Sequence, residues 1–162
     1  HFYPLLLERG LDASGVVTVL AVIGPAQVAG RVIVSTIASR APVRRVGSVI
    51  MAIFPLTVIG FAYAPPQVIA LAGIAAVYGA ANGIATIVRG LSVPEMVTRQ
   101  AYGSVNGSLV APMNIMQAAA PLIAALIWQA SGGYGAVLAA ILAASLILCA
   151  GFWFAAYKAE VK

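Results

Sequence analysis

Charged side chains are scarce in this sequence, and acidic ones are the scarcest. Only 8% of the 162 residues are charged, with four Asp and Glu against nine Lys and Arg, whereas a soluble domain carries roughly 25%. A soluble fold of this length needs a polar shell over most of its surface, which so few charges cannot supply. Because 62% of the residues are hydrophobic, the composition excludes a soluble or peripheral protein and predicts lipid as the solvent.

Cysteine and histidine are almost absent as well. Cys149 is the only cysteine and lies in an apolar run, so we expect a small packing residue rather than a disulfide framework or a metal cluster. The sole histidine is His1, and every acidic residue falls outside the apolar stretches. General acid/base catalysis and metal-assisted hydrolysis need such groups converging on one site. We therefore predict no enzyme activity, no metal site and no cofactor. The acidic residues are Glu8, Asp12, Glu95 and Glu160.

Two long stretches carry no charge at all, Val46–Val88 and Gln100–Tyr157. A helix crosses ~30 Å of hydrocarbon in about 20 residues, so each stretch holds two spans joined by a turn. Helix breakers stand where the turns are needed, at Ala64-Pro65-Pro66 and at Ser131-Gly132-Gly133. Strands are excluded because the runs lack the period-two alternation of a membrane barrel.

The sequence thus predicts an all-α, polytopic bundle of about five transmembrane helices, one of them ahead of the first charge-free stretch. We expect residues 1–13 to be the extracytoplasmic end of a truncated helix with its loop, and residues 14–162 to be the five-helix bundle. No methionine begins the chain, so we expect His1 to be a truncation point. The predicted spans are 14–37, 47–63, 67–88, 103–130 and 134–157.

The basic residues outside the spans predict the orientation. If successive helices alternate in direction, only Arg9 falls on one side of the membrane. The segments that hold the other basic residues share the opposite side. The positive-inside rule places that basic side and the C-terminus in the cytoplasm, and we expect a bacterial inner (plasma) membrane. The bilayer is therefore the expected partner. Nucleic acid is not, because binding phosphates needs basic side chains clustered on a water-exposed face, and here the basic residues lie between apolar runs. The basic side comprises Arg40, Arg44, Arg45, Arg89, Arg99, Lys158 and Lys162.

One predicted helix, 67–88, has its polar residues on a single face. Successive steps of three or four residues place them one above the other, and polar groups facing lipid are costly. Beside them, Gly79 and Gly83 form a small-residue face that allows a neighbouring helix to come close. Two interpretations stay open, a substrate pathway and polar packing between helices. The stripe consists of Tyr78, Asn82, Thr86 and Arg89.

Two further helices carry candidates for gating or interface contacts. Gln27 and Arg31 are four residues apart in the first span and share a face. Arg31 either extends to the cytoplasmic interface while Gln27 packs between helices, or the two form a conformational latch or a substrate contact. The fourth span has a second small-residue pair, Gly103 and Gly107, and more amides. These are Asn106, Asn114 and Gln117.

Three segments resemble the C-terminal half of a major facilitator superfamily transporter, from the end of its seventh helix through its twelfth. They are IGPAQVAGRV at Ile23–Val32, SRAPVRR at Ser39–Arg45 and YGSVNGSLVAPMNIMQAAAP at Tyr102–Pro121. The second is similar to the basic cytoplasmic motif of that family. In such folds each half is a pair of three-helix inverted repeats, which makes 67–88 the cavity-lining tenth helix.

The resemblance implies a fragment of a secondary active transporter that exports or takes up small solutes by alternating access. Its partners would be the missing N-terminal half of the same transporter and a small-molecule substrate. A different class of function is also open from the sequence, namely a membrane scaffold or assembly protein that transports nothing and only packs against partners.

Overall fold

The computed structural model describes residues 1–36 and 41–160, and within them it contains six α-helices, one π-helical turn and no strand. The predicted all-α fold is therefore confirmed. Arg40 and the last residue of the first predicted span lie outside the described residues. The helices are α1 (Phe2–Glu8), α2 (Ala13–Thr36), α3 (Val43–Tyr63), α4 (Val68–Ser92), α5 (Tyr102–Ser131) and α6 (Tyr134–Glu160), and the π-helical turn is Val93–Val97.

Five of these helices, α2 to α6, are long and apolar enough to cross a membrane. The chain is thus an integral membrane protein. The main differences from the predicted bounds are that α3 begins at Val43, ahead of residue 47, and that α4 continues past residue 88 to Ser92. Arginines occupy both extensions, Arg44 and Arg45 in α3 and Arg89 in α4. A long basic side chain can follow the helix surface to the aqueous interface, so charge near a span end does not end the helix.

Both predicted turns lie where the breakers stand. Ala64 takes an extended conformation (φ −61°, ψ 151°) after the last residue of α3, as the clash with a following proline favours. Gly132 takes the left-handed conformation (φ 74°) after α5, and its amide donates to the Trp128 carbonyl at 2.8 Å. A residue without Cβ adopts that conformation at no steric cost.

The chain direction reverses from each long helix to the next, which gives the bundle two ends. We call the end with both tight turns, around residues 64–67 and 131–133, the turn end. The other end, around residues 41–45, 89–101 and 158, is the basic end. One buried cluster, toward the turn end, includes Leu6, Val16, Val19, Phe61 and Leu71. A second, toward the basic end, comprises Val43, Met51, Val88 and Cys149, so the cysteine is buried as expected.

The helices differ sharply in how they pack. The α2–α4 pair has the most extensive interface, and α3 packs against both α4 and α6. The short helix α1 lies against α2 and places Leu6 in the turn-end cluster. Helix α5 packs against α6 and the π-helical turn but buries none of its own residues. One face of the bundle, formed by α5, is therefore largely without protein neighbours among the described residues.

Candidate functional site

The close approach of α2 and α4 sets the position of the polar stripe. A Cβ added to Gly79 would lie 2.7 Å from the Ile23 carbonyl oxygen, and one added to Gly83 would overlap the Gln27 carbonyl. From the other side, a Cβ on Gly30 would overlap the Ala80 carbonyl. The small-residue face predicted for α4 is therefore in backbone contact with α2. This contact fixes the rotation of α4 and so the direction of the stripe beside it.

Tyr78 lies at the turn-end part of the stripe, inside an aromatic cluster. Its ring centroid is 5.6 Å from that of Phe2 and 6.1 Å from that of Phe54. It also lines a cavity of about 160 Å³ bounded by α1, α3, α4 and α6. Its hydroxyl makes no hydrogen bond to any described residue, so the polar end of the ring is available to water or a solute.

The other three members of the stripe differ in what they bond. Asn82 is half-buried, and its amide has no hydrogen-bond partner among the described residues. Thr86 donates to the Gly83 carbonyl of its own helix at 2.7 Å, which satisfies its hydroxyl locally. Arg89 is exposed and places Nη1 3.1 Å from Sδ of Met113 on α5. Asn82 is therefore the member of the stripe most in need of an outside partner.

Two contacts join α5 to α4 and to the start of α1. Met113, Gln117 and Pro121 follow at four-residue steps and share one face of α5. Met113 is the residue that Arg89 contacts, and the Pro121 carbonyl oxygen lies 2.8 Å from Nε2 of His1 at the start of α1. Gln117 lies between these two contacts along α5, and its side chain is exposed. It too has no hydrogen-bond partner among the described residues.

The remaining gating candidates are not brought together. Gln27 is half-buried, and its backbone carbonyl is the atom that Gly83 approaches. Arg31, one turn further along α2, is exposed and has no partner among the described residues. On α5, Asn106 is half-buried and Asn114 is exposed. None of these four side chains contacts the stripe through a hydrogen bond, and both interpretations of Arg31 stay open.

The predicted basic loop leads directly into α3. Arg44 is half-buried and Arg45 exposed, both in the first turn of α3, and Arg40 lies outside the described residues. Positive charge at a helix N-terminus opposes the helix dipole. Glu95 offsets this, because its Oε2 accepts a hydrogen bond from the Val43 amide at 3.3 Å. The acid thus links the π-helical turn after α4 to the start of α3.

Helix capping is the role that sequence reasoning missed for two of the four acidic residues, Glu8 and Glu95. Asp12 accepts from the Gly15 amide at 3.0 Å and from the Ser14 hydroxyl at 2.6 Å. These bonds, the Ser14 hydroxyl first, lower the pKa of the Asp12 carboxyl below its ordinary value of 3.8. Glu8 accepts from the Tyr134 amide at 2.9 Å, at the start of α6. Glu8 and Glu95 cap helices distant in sequence, so no local signal could reveal them, whereas the Asp-x-Ser spacing before α2 signals the Asp12 cap.

Arg9, by contrast, caps the C-terminal end of a helix. Its guanidinium donates to the carbonyls of Ala62 and Ala64, at the C-terminal end of α3, where positive charge is favourable. Glu8 and Arg9 are adjacent, and together they tie α1 to both turns of the turn end. We call this pair of residues the turn-end clasp.

No group of three or more His, Cys, Asp or Glu side chains in the described ranges could hold a metal ion. No protein-family model matches the sequence, no curated protein matches it, and no solved structure matches its fold. Its own structure shows an all-α integral membrane protein with five candidate spans and a polar stripe on α4.

Proposed function

We propose that the protein is part of a secondary active transporter that moves small solutes by alternating access. The observation that carries this proposal is the pair Asn82 and Gln117. Both amides lie within apolar spans, Asn82 half-buried on α4 and Gln117 exposed on the α5 face that carries Met113, and neither has a partner among the described residues. An amide without a partner is costly in hydrocarbon, so water or a solute between α4 and α5 would satisfy both.

The resemblance to the C-terminal half of a major facilitator superfamily transporter supports the same conclusion. In that architecture two halves rock about a central pathway, and an N-terminal half of the same transporter would form the opposite wall. Tyr78, Asn82 and Arg89 are then pathway residues of α4, and Gln117 is the α5 residue facing them. Thr86, whose hydroxyl is bonded to its own helix, lines the pathway without binding the solute.

The orientation is part of the proposal. The basic end lies in the cytoplasm, the turn end lies outside, and the C-terminus is cytoplasmic, in a bacterial inner membrane. Single cysteines replacing Ala41 and Pro65, both exposed, test this with a membrane-impermeant thiol reagent applied to intact cells. We expect Pro65→Cys to be labelled and Ala41→Cys to be labelled only after permeabilisation. Labelling of both from the same side would contradict the orientation and the transporter proposal together.

Thiol accessibility also tests the pathway. In a background carrying Cys149→Ala, Asn82→Cys is compared with Val77→Cys, a matched position on α4 that is 51% exposed on the outer surface of the described residues. A water-soluble thiol reagent needs the thiolate, which forms in water and not in hydrocarbon. We expect Asn82→Cys to react and Val77→Cys to stay unreactive, with reaction at position 82 changing when a transported solute is present. Equal protection of both cysteines in every condition would remove Asn82 from a pathway.

A scaffold or assembly function is the second candidate, and the packing of α5 favours it. That helix buries no residue, as expected of a surface that another membrane protein covers. The two functions separate in cells carrying either Asn82→Leu or a bulky change on α5 such as Ala118→Phe. A transporter loses solute flux with Asn82→Leu, whereas a scaffold keeps its partners with Asn82→Leu and loses them with Ala118→Phe.

A further inference from the structure

A cavity of about 410 Å³ lies at the turn end, between α3 and α6, with α1 as its inner wall. This volume falls within the range of about 300–1,000 Å³ typical of small-molecule sites. Its rim on α3 is open, since Ile59 is 41% and Tyr63 84% exposed, and Ala139 on the α6 rim is exposed too. Because these outer faces of α3 and α6 lie in candidate spans, the cavity opens sideways into the membrane rather than into water. We call it the lateral slot.

The lateral slot is polar at one end and apolar below. Glu8 and Arg9, the turn-end clasp, line the end nearest the aqueous interface, and Leu138 and Leu142 of α6 line the part deeper in the span. A molecule that fits the slot must therefore have a charged headgroup at the membrane surface and an apolar chain beneath it. A soluble metabolite has no such chain, and a wholly apolar molecule leaves the charged end unsatisfied.

Both members of the clasp retain bonding capacity toward the slot. A guanidinium has five N–H donors. Arg9 donates hydrogen bonds to two carbonyls, so further donors are available. The Glu8 carboxylate accepts the Tyr134 amide with Oε1, and its Oε2 has no hydrogen-bond partner among the described residues. The slot therefore presents one cation beside one anion, and each has hydrogen-bonding capacity that no described residue uses. This pair of charges is complementary to a zwitterion.

From this complementarity we propose that the lateral slot is a binding site for a zwitterionic phospholipid with a primary ammonium headgroup, such as phosphatidylethanolamine. The lipid phosphate bonds to Arg9, its ammonium group bonds to Glu8, and one acyl chain lies along Leu138 and Leu142. A choline headgroup has no N–H donor for the Glu8 carboxylate. A glycerol headgroup brings a phosphate and no cation, which leaves Glu8 without a partner of opposite charge.

No residue of the polar stripe lines the lateral slot, although the slot shares Leu5, Val58, Tyr134 and Leu138 with the cavity that Tyr78 lines. A lipid in the slot touches α1, α3 and α6 at once, which are the elements that the clasp joins. The bound lipid therefore reinforces the turn end, and its headgroup, rather than water, completes the hydrogen bonding of Glu8 and Arg9.

Counting retained lipids tests the proposal. The protein is reconstituted in parallel into vesicles of phosphatidylethanolamine, phosphatidylcholine and phosphatidylglycerol, extracted in mild detergent and analysed by native mass spectrometry. We expect one retained phosphatidylethanolamine, and retention of the other two weaker by about tenfold. Ala139→Phe fills the rim of the slot and should abolish this retention. Ala140→Phe, the matched change on the neighbouring exposed face of α6, should leave it intact.

Glu8→Gln gives a second readout that does not depend on filling the slot. Its amide oxygen can still accept the Tyr134 amide, so α6 stays capped, but the anion facing the ammonium group is lost. We expect the preference for phosphatidylethanolamine over phosphatidylcholine to disappear in this variant. Equal retention of all three lipids by the unmodified protein, unchanged retention in Ala139→Phe, or an unchanged preference in Glu8→Gln would each overturn the proposal. None of these readouts involves transport, so they stand or fall separately from the proposed function.

Discussion

Helices α4 and α5 are alike in sequence and opposite in packing. Each is a long apolar helix with polar side chains on one face and a pair of glycines four residues apart, Gly79 with Gly83 and Gly103 with Gly107. The first pair touches the backbone of α2, whereas a Cβ added at either glycine of the second pair would meet nothing within 4 Å. The same sequence pattern thus serves as an interface in one helix and as open surface in the other.

The difference follows from the solvent. In lipid, an apolar side chain gains little by exchanging lipid contacts for protein contacts, so association depends on close backbone approach and polar contacts. Helix α2 supplies a complementary small residue, Gly30, which approaches the carbonyl of Ala80. Nothing in the described residues supplies such a counterpart to α5. A pair of small residues on one helix permits a close interface but does not create it. The neighbouring helix must also carry a small residue at the same level along the helix axis.

The largest effect should come from adding bulk to the two glycine pairs. Gly83→Val forces a branched side chain into the Gln27 carbonyl, and we expect it to destabilise the folded protein by about 3 kcal/mol. Gly107→Val, the matched change on α5, should shift stability by less than about 0.5 kcal/mol. Unfolding of purified protein in mixed micelles at increasing denaturing detergent measures both. Equal losses would mean that α5 has a packing partner at Gly107.

A smaller effect is expected from matched leucine truncations. Leu71 on α4 is fully buried at 0% exposure, and Leu126 on α5 is 56% exposed. Leu71→Ala leaves a cavity and should cost about 2 kcal/mol, at the low end of the usual range because lipid rather than water is the alternative environment. Leu126→Ala exchanges one lipid-facing side chain for another and should be nearly neutral in the same unfolding measurement. A comparable cost at both sites would show that α5 is covered.

The smallest effect concerns how the helices begin. Asp12 caps the first turn of α2, whereas α5 starts after Ala101 with no capping side chain. Since folding lowers the pKa of Asp12, its contribution is full above the ordinary carboxyl value of 3.8 and is lost as the pH falls through the lowered pKa. We expect amide exchange at Gly15, corrected for its intrinsic pH dependence, to accelerate relative to the start of α5 on acidification.

Asp12→Asn is the control for that comparison. Asparagine is as good a capping residue as aspartate, but it does not titrate, so amide protection in the first turn of α2 should become independent of pH. Persistent acid sensitivity in Asp12→Asn would assign the effect to another carboxyl group.

Much of the fold could be predicted because the membrane restricts the choices. Charge-free runs and breakers such as Pro65 and Gly132 locate the spans, since hydrocarbon admits only helices of sufficient length. The stripe on α4 could be predicted from helical periodicity alone. Its partners could not, because the contact of Arg89 with Met113 and the cluster of Tyr78 with Phe2 join residues from separate helices whose relative rotation no local pattern contains.

The sequence by itself determined the solvent, the helical class, the number and approximate position of the spans, and the concentration of basic residues at one end of the bundle. Each of these follows from the cost of placing charge or an unpaired backbone in hydrocarbon, which is a property of one segment at a time. Only the tertiary structure decided which glycines touch another helix, and that Glu8, Arg9 and Glu95 cap helices far along the chain. Those contacts depend on the relative height and rotation of two helices, which packing between distant segments alone sets.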